Sequence, residues 1–259
     1  MSRAVTVGTA VLLLAGLAGC GTARASGEIV MCHHQEVPLR GLRDGRPATE
    51  LGPDGRAALK GTEVRRIDDL AGWTIVEESD TRVALIRELD TPHSESQGMV
   101  FTHEFLDIER FGERDGNGRP GWHMRASSRC DLRRDLGDAG TADVALDPAA
   151  PPPGRDSRQV AVLVHERDCA DGRRADGRVR LIDIESTSTE VRIVIGVQPL
   201  SGILTCQGNP PTPFTVELDE PLGDRVLIDA SVYPPRRIVE GAGWTSRSAR
   251  RRRSGGGGR

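Results

Sequence analysis

Aromatic rings, lysine and long apolar runs are all scarce in this chain. Three Trp, one Tyr and four Phe are spread over 259 residues, and the apolar fraction is 37%. The 31 glycines bury nothing, so the core rests on Val, Ile and Leu, and covalent cross-links gain weight. Lys60 is the single lysine among 35 basic residues. A GC-rich coding sequence produces that skew, and it says nothing of function. The apolar run from Ala4 to Gly16 falls short of the roughly 20 residues a membrane-spanning helix requires. Gly-x-Ser-x-Gly, Cys-x-x-Cys and a phosphate-binding loop ending in Gly-Lys are also missing. Their absence removes the familiar signatures of acyl-transfer, dithiol and nucleotide chemistry.

The formal net charge of −3 conceals a division. From Trp244 on, the tail holds six arginines and no acid; with those and Arg3 taken off, residues 20–243 carry −10. An acidic body lacks the basic face on which phosphate neutralisation depends, so no nucleic-acid partner is expected. Residues 241–259, rich in Arg, Ser and Gly and without hydrophobic period, are expected to be disordered. There Arg250, Arg251, Arg252 and Arg253 could touch anionic lipid or wall polymer.

Arg3, the Ala4–Gly16 run and then Leu17-Ala18-Gly19-Cys20 have the layout of an export leader, residues 1–19. The tetrapeptide resembles the lipobox of bacterial lipoproteins. The resemblance implies cleavage between Gly19 and Cys20 and a diacylglyceryl group on the Cys20 thiol. The mature protein would then be held on the extracytoplasmic face of the cell membrane by its own first residue, since two or three acyl chains anchor stably where one does so marginally. Residues 20–27 read as a short flexible tether. With Cys20 set aside, Cys32, Cys130, Cys169 and Cys206 remain, an even number that in an exported chain points to disulfides. Three pairings are open; Cys32–Cys130 with Cys169–Cys206 is favoured because each bridge then stays within one half of the chain.

The mature chain alternates more than it turns helically. Pro53–Lys60 predicts one short helix, with Pro53 in its first turn and Gly61 as its stop. Trp73–Glu78 and Arg82–Leu89 around Ser79-Asp80 predict a hairpin. Val100–Phe111 predicts a longer strand, with Phe101, His103, Phe105, Asp107 and Phe111 on one face and Val100, Leu106 and Ile108 on the other. Asp115-Gly116-Asn117-Gly118 is a turn signal, followed by a return strand through Trp122 and Met124 towards Cys130. Residues 144–157, with Pro151-Pro152-Pro153-Gly154, read as a linker between an N-terminal β-rich region (28–143) and a C-terminal one (158–240). In the latter, Val160–Val164 reads as a central strand, and Val191–Val197 and Phe214–Leu218 alternate. Leu222-Gly223-Asp224-Arg225 reads as a turn into a return strand, Val226–Val232. The fold expected is mainly β: an antiparallel β-sandwich or partly open barrel, in one domain or two β-rich halves, with few helices.

One stretch carries a second resemblance: Thr205-Cys206 and Asn209–Leu218, then Glu220–Arg225 and Val232-Tyr233-Pro234-Pro235-Arg236. It looks like the C-terminal part of secreted lipoproteins from high-GC bacteria, covers about a third of the chain, and brings no activity or ligand with it.

Candidate chemistry is sparse. Gly116-x-Gly118-x-x-Gly121 satisfies a dinucleotide pattern, but Pro120 and the strand-like Trp122-His123-Met124 deny it the helix that must receive the pyrophosphate. Asp115-x-Asn117 begins like a calcium loop, yet the next ligand position is Arg119. His103-Glu104 and His165-Glu166 lack a second His four residues after the first and lie on predicted strands, not the helix that zinc proteases use. His103, beside Phe101 and Phe105, reads as a core histidine with one hydrogen bond. Cys32-His33-His34 has the ligand chemistry for zinc or copper, but neighbours on a strand diverge and a disulfide would remove Cys32. No metal, cofactor or catalytic residue is assigned.

These readings favour a membrane-anchored envelope lipoprotein that acts as a non-enzymatic binding or structural module. The alternatives are an envelope hydrolase or metal-dependent enzyme using His33, His34 or His103, and a solute-binding lipoprotein. The last usually has two α/β lobes and long helices, a pattern not seen here.

Overall fold

The computed structural model describes residues 29–94, 100–114, 118 and 120–240. Gly19, Cys20, the tether, the tail arginines and most of the Asp115–Gly118 turn lie outside them. The first elements are strands β1 (Ile29–Cys32) and β2 (Gln35–Pro38), helix α1 (Leu39–Asp44), β3 (Arg46–Pro47) and helix α2 (Pro53–Ala58). Next come β4 (Thr74–Glu78), β5 (Arg82–Ser94), β6 (Val100–Arg114), β7 (Pro120–Cys130) and β8 (Arg133–Arg134). The chain continues with β9 (Gly140–Leu146), β10 (Gln159–Glu166), β11 (Val179–Ser186) and β12 (Glu190–Val197). It closes with β13 (Thr212–Glu217), β14 (Val226–Asp229) and β15 (Arg236–Arg237). The fold is mainly β, its antiparallel sheets set in a sandwich-like arrangement without a closed barrel among the described residues.

In the first half, β3-β4-β5-β6-β7 form a five-stranded sheet and β2-β1-β8 a three-stranded one. Alternation sorts the larger sheet's side chains onto two buried faces. Ala84, Ile86 and Phe105 pack against Val30, Val37 and Leu132 of the small sheet and its flank. Val83, Leu85, Leu106 and Ile108 pack under Leu51, Ala58 and Trp73 from the α2 side. The helix starts at Pro53 as expected, its missing N–H falling where the first turn has no use for one. Cys32 at the end of β1 and Cys130 at the end of β7 join the two sheets by a disulfide spanning 98 residues, with both sulfurs' residues fully buried. On the loop-entropy account such a bridge contributes about 4–5 kcal/mol.

The second half is one seven-stranded sheet in the order β13-β10-β9-β12-β14-β15, with β11 along the other edge of β12. Its core is aliphatic: Val160, Val162 and Val164 of β10, Val191, Ile193, Ile195 and Val197 of β12, with Val216, Leu227 and Ile238. The second disulfide, Cys169–Cys206, clasps two loops of this half. Both bridges are the favoured pair.

Three expectations need correction. Residues 144–157 are not a linker between halves: Val144–Leu146 finish β9, which pairs with β10, and the proline-rich remainder closes that hairpin within one sheet. The segment after Leu222–Arg225 does not return along β13. β13 pairs with β10, whereas β14 runs parallel to β12 and ends at Asp229. Cys32-His33-His34 is not a strand segment throughout, because His33 and His34 form the two-residue turn between β1 and β2.

Candidate functional site

The halves meet where β8 leaves the first and β9 enters the second. Arg133 and Val232 form an isolated bridge there, Arg134 N–H donates to Ser231 carbonyl (2.8 Å), and Tyr233 N–H donates to Leu132 carbonyl (2.8 Å). The chain's late segment is thereby stitched to its middle.

Charges cluster on this seam. Arg133, only 4% exposed, donates to Ala142 carbonyl (2.6 Å), to Asp131 (2.8 Å) and, closely, to Asp143. Arg167 reaches the Asp143 carboxylate at 3.2 Å, and Arg236 reaches Asp131 at 3.3 Å and Asp143 at 3.5 Å. Three guanidiniums thus share two carboxylates. Burial alone would push the Asp143 carboxyl up; Arg133, Arg167 and Arg236 outweigh it and hold that group below the usual carboxylate range. Asp229, 2% exposed, accepts from Ser231 N–H (2.9 Å) and its hydroxyl (2.5 Å). Burial dominates there and pushes its carboxyl up, against the pull of Ser231 and Arg133. Buried charges survive only when paired, and the ion pairs of this cluster join four separate stretches of sequence, at 131–133, 143, 167 and 236.

A polar cleft of about 330 Å³ opens over the cluster, bordered by His34, Asp135, Asp138, Arg167, Asp168 and Pro199. Gly140 forms part of its wall, and a side chain at that position would collide with the Asp168 carboxylate. The Asp168 side chain is exposed, yet burial of part of its surroundings and then Glu166 push its carboxyl up, with His34 and Arg167 opposing. The cleft therefore offers acids at its rim and committed guanidiniums beneath. It can hold a small polar molecule; its charges already answer one another.

The predicted candidates divide between cleft and core. His33 and His34 line the cleft. His33, at a left-handed φ of 54°, donates from Nε2 to Arg129 carbonyl (2.8 Å), which stabilises an unusual turn residue. His103 is elsewhere, 8% exposed on β6 with Nδ1 2.9 Å from the Thr102 hydroxyl. Burial pushes its imidazole pKa down, with Glu88 and Asp131 opposing. Cys32 is in a disulfide, and no group of three or more His, Cys, Asp or Glu is placed to hold a metal among the described residues. Sequence reasoning missed the seam. The signal for it was an isolated charge inside an apolar run: Asp143 in Thr-Ala-Asp-Val-Ala-Leu and Asp229 in Val-Leu-Ile-Asp-Ala. No family model, curated protein or solved structure matches this chain.

Proposed function

We propose that this protein is a lipid-anchored envelope lipoprotein, acylated at Cys20 and facing outward from the cytoplasmic membrane. In this reading it is a non-enzymatic module that binds a partner or supports the envelope. The observation that carries the reading is the cysteine arrangement. Four cysteines close two intrachain disulfides, which suits an oxidising compartment. Cys20, in its setting of small residues after an apolar run, is the odd one left over. The non-enzymatic part is supported by the seam, whose three guanidiniums and two carboxylates are tied to one another and so are poorly placed to move protons. Arg250–Arg253 would add electrostatic contact with anionic lipid or wall polymer.

The test is an intact-mass measurement on protein extracted from membranes, beside a Cys20→Ser form. A product starting at residue 20 with added acyl mass, absent from Cys20→Ser, supports the proposal. An unmodified Cys20, or a product still starting at Met1 in the cytosol, refutes it. For the tail, salt-sensitive binding of the Cys20→Ser chain to anionic vesicles should be lost on truncation after Gly243; undiminished binding would end that part.

A further inference from the structure

The pairing on the seam leaves a remainder. Arg133, Arg167 and Arg236 share the carboxylates of Asp131 and Asp143, so the guanidiniums exceed those two acids by one. Asp229 also faces Arg133, but burial, its leading influence, favours the uncharged carboxyl. Arg167 bears the surplus: burial lowers its pKa, and the like charge of Arg133 lowers it further, against the pull of Asp143 and Asp131. Arg133 in addition keeps a donor unused. The residue is only 4% exposed, and its Nε–H is buried without a partner. Such orphans are rare, because a buried donor that gives up water needs an acceptor in return. Arg133 and Arg167 both border the polar cleft of about 330 Å³, so the floor of that cleft calls for an anion.

Its rim has the opposite need. Asp135, Asp138 and Asp168 stand exposed there. The neighbouring cations are committed elsewhere, Arg134 to Asp183 and Arg167 to Asp143. Asp135 accepts from Gly137 N–H (2.9 Å), and Asp138 shares a second hollow with Arg180. Asp168 is left as the acid most in want of a cation, and burial and then Glu166 push its carboxyl up. It stands directly across from Gly140, whose missing side chain keeps room beside the carboxylate. The cation called for is not a metal, since no three acids or histidines converge to hold one among the described residues.

We propose that the cleft binds a small zwitterion, an amino acid or short peptide, with its carboxylate over Arg133 and Arg167 and its ammonium at Asp168. The inference deepens the binding-module reading and rests on it, without drawing on the acyl anchor. At about 330 Å³ the cleft lies at the small end of ligand pockets, which run from about 300 to 1,000 Å³. One or two amino-acid residues suit that space. Selectivity follows from having two unlike ends: a ligand with one charge removed leaves either the floor or the rim unanswered.

The test is isothermal calorimetry of full-length Cys20→Ser protein with L-alanine and with L-alanyl-L-alanine. Saturable binding of either supports the site, and the better of the two gives the spacing of its ends. N-acetyl-L-alanine, which lacks the ammonium, and L-alaninamide, which lacks the carboxylate, should bind about ten- to a hundredfold more weakly than L-alanine or the dipeptide. Asp168→Asn should weaken the zwitterion by a similar factor at an unchanged melting temperature and leave N-acetyl-L-alanine as it was. No saturable heat from either zwitterion, equal binding of the blocked forms, or indifference to Asp168→Asn would each overturn the proposal. Acylation of Cys20 is read separately by mass, so the anchor stands or falls without the cleft. A dipeptide that binds and is recovered cleaved would confirm the site and overturn the non-enzymatic reading.

Discussion

Arg133 is the residue on which most of the seam converges. It fills two carboxylates and a carbonyl from a position almost closed to water, so removing it leaves Asp131 and Asp143 buried with fewer counter-charges. Breaking a buried pair from one side costs about 3–5 kcal/mol. Arg133→Ala is therefore expected to lower the unfolding free energy by about that amount, read as a fall in urea midpoint at unchanged slope. Arg155→Ala, whose pair with Asp224 is 74% and 76% exposed, should change it by less than about 1 kcal/mol. Both are arginines beside aspartates, and the sequence does not distinguish them, because burial is decided by which strands meet.

At the scale of elements, strands with a sustained apolar pattern were legible, whereas the long-range pairings between them were not. β5 is an example: Val83 to Ile86 are apolar without a break, and both faces of the strand are buried. β11 escaped notice because it is an edge strand with mostly exposed side chains and a register shift between Leu181 and Asp183 that spoils its period. The parallel partnership of β12 and β14 is a choice among long-range pairings that local pattern does not encode. Cysteine count narrowed the bridges to three sets, and the half-by-half organisation favoured the set found. The two bridges differ in access: Cys32 and Cys130 are fully buried, whereas Cys206 is exposed. A dithiol reductant under native conditions should open Cys169–Cys206 first, read by alkylation and peptide mass mapping. Simultaneous opening would mean that the Cys32–Cys130 region breathes as readily as the outer loops.

For the whole molecule, pH acts through groups that burial and pairing have moved. His103 and His165 have imidazoles pushed down, first by burial. The unfolded chain therefore takes up protons near pH 6.5 that the folded one refuses. Stability should be full above that value and fall as pH drops through it towards the lower folded values. Asp143, held low by its guanidiniums, contributes stability above about pH 3.9 that is lost as pH falls through its depressed folded value. Asp229 has the opposite sign, since its carboxyl is raised: its contribution is present below about pH 3.9 and fades as pH rises through its folded value. Urea midpoints from pH 8 to pH 5 should decline, and His103→Gln should flatten part of that decline while His165 keeps the rest. A decline unaltered by His103→Gln would show that β6 tolerates the imidazolium.

The hairpin connection from Asp147 to Arg158 runs between β9 and β10, and each disulfide lies wholly to one side of it. Severing the backbone at exposed Arg155 with trypsin would accordingly yield two pieces with no covalent bond between them. Five residue pairings from Val162↔Leu146 to Glu166↔Ala142, the Arg133 knot and the return of Tyr233 to the first half would keep those pieces associated. The nicked protein should elute as a single species on gel filtration and separate only in denaturant. Separately expressed fragments meeting at that point would then reconstitute by mixing, which turns a surface loop into a site for splitting the molecule at will.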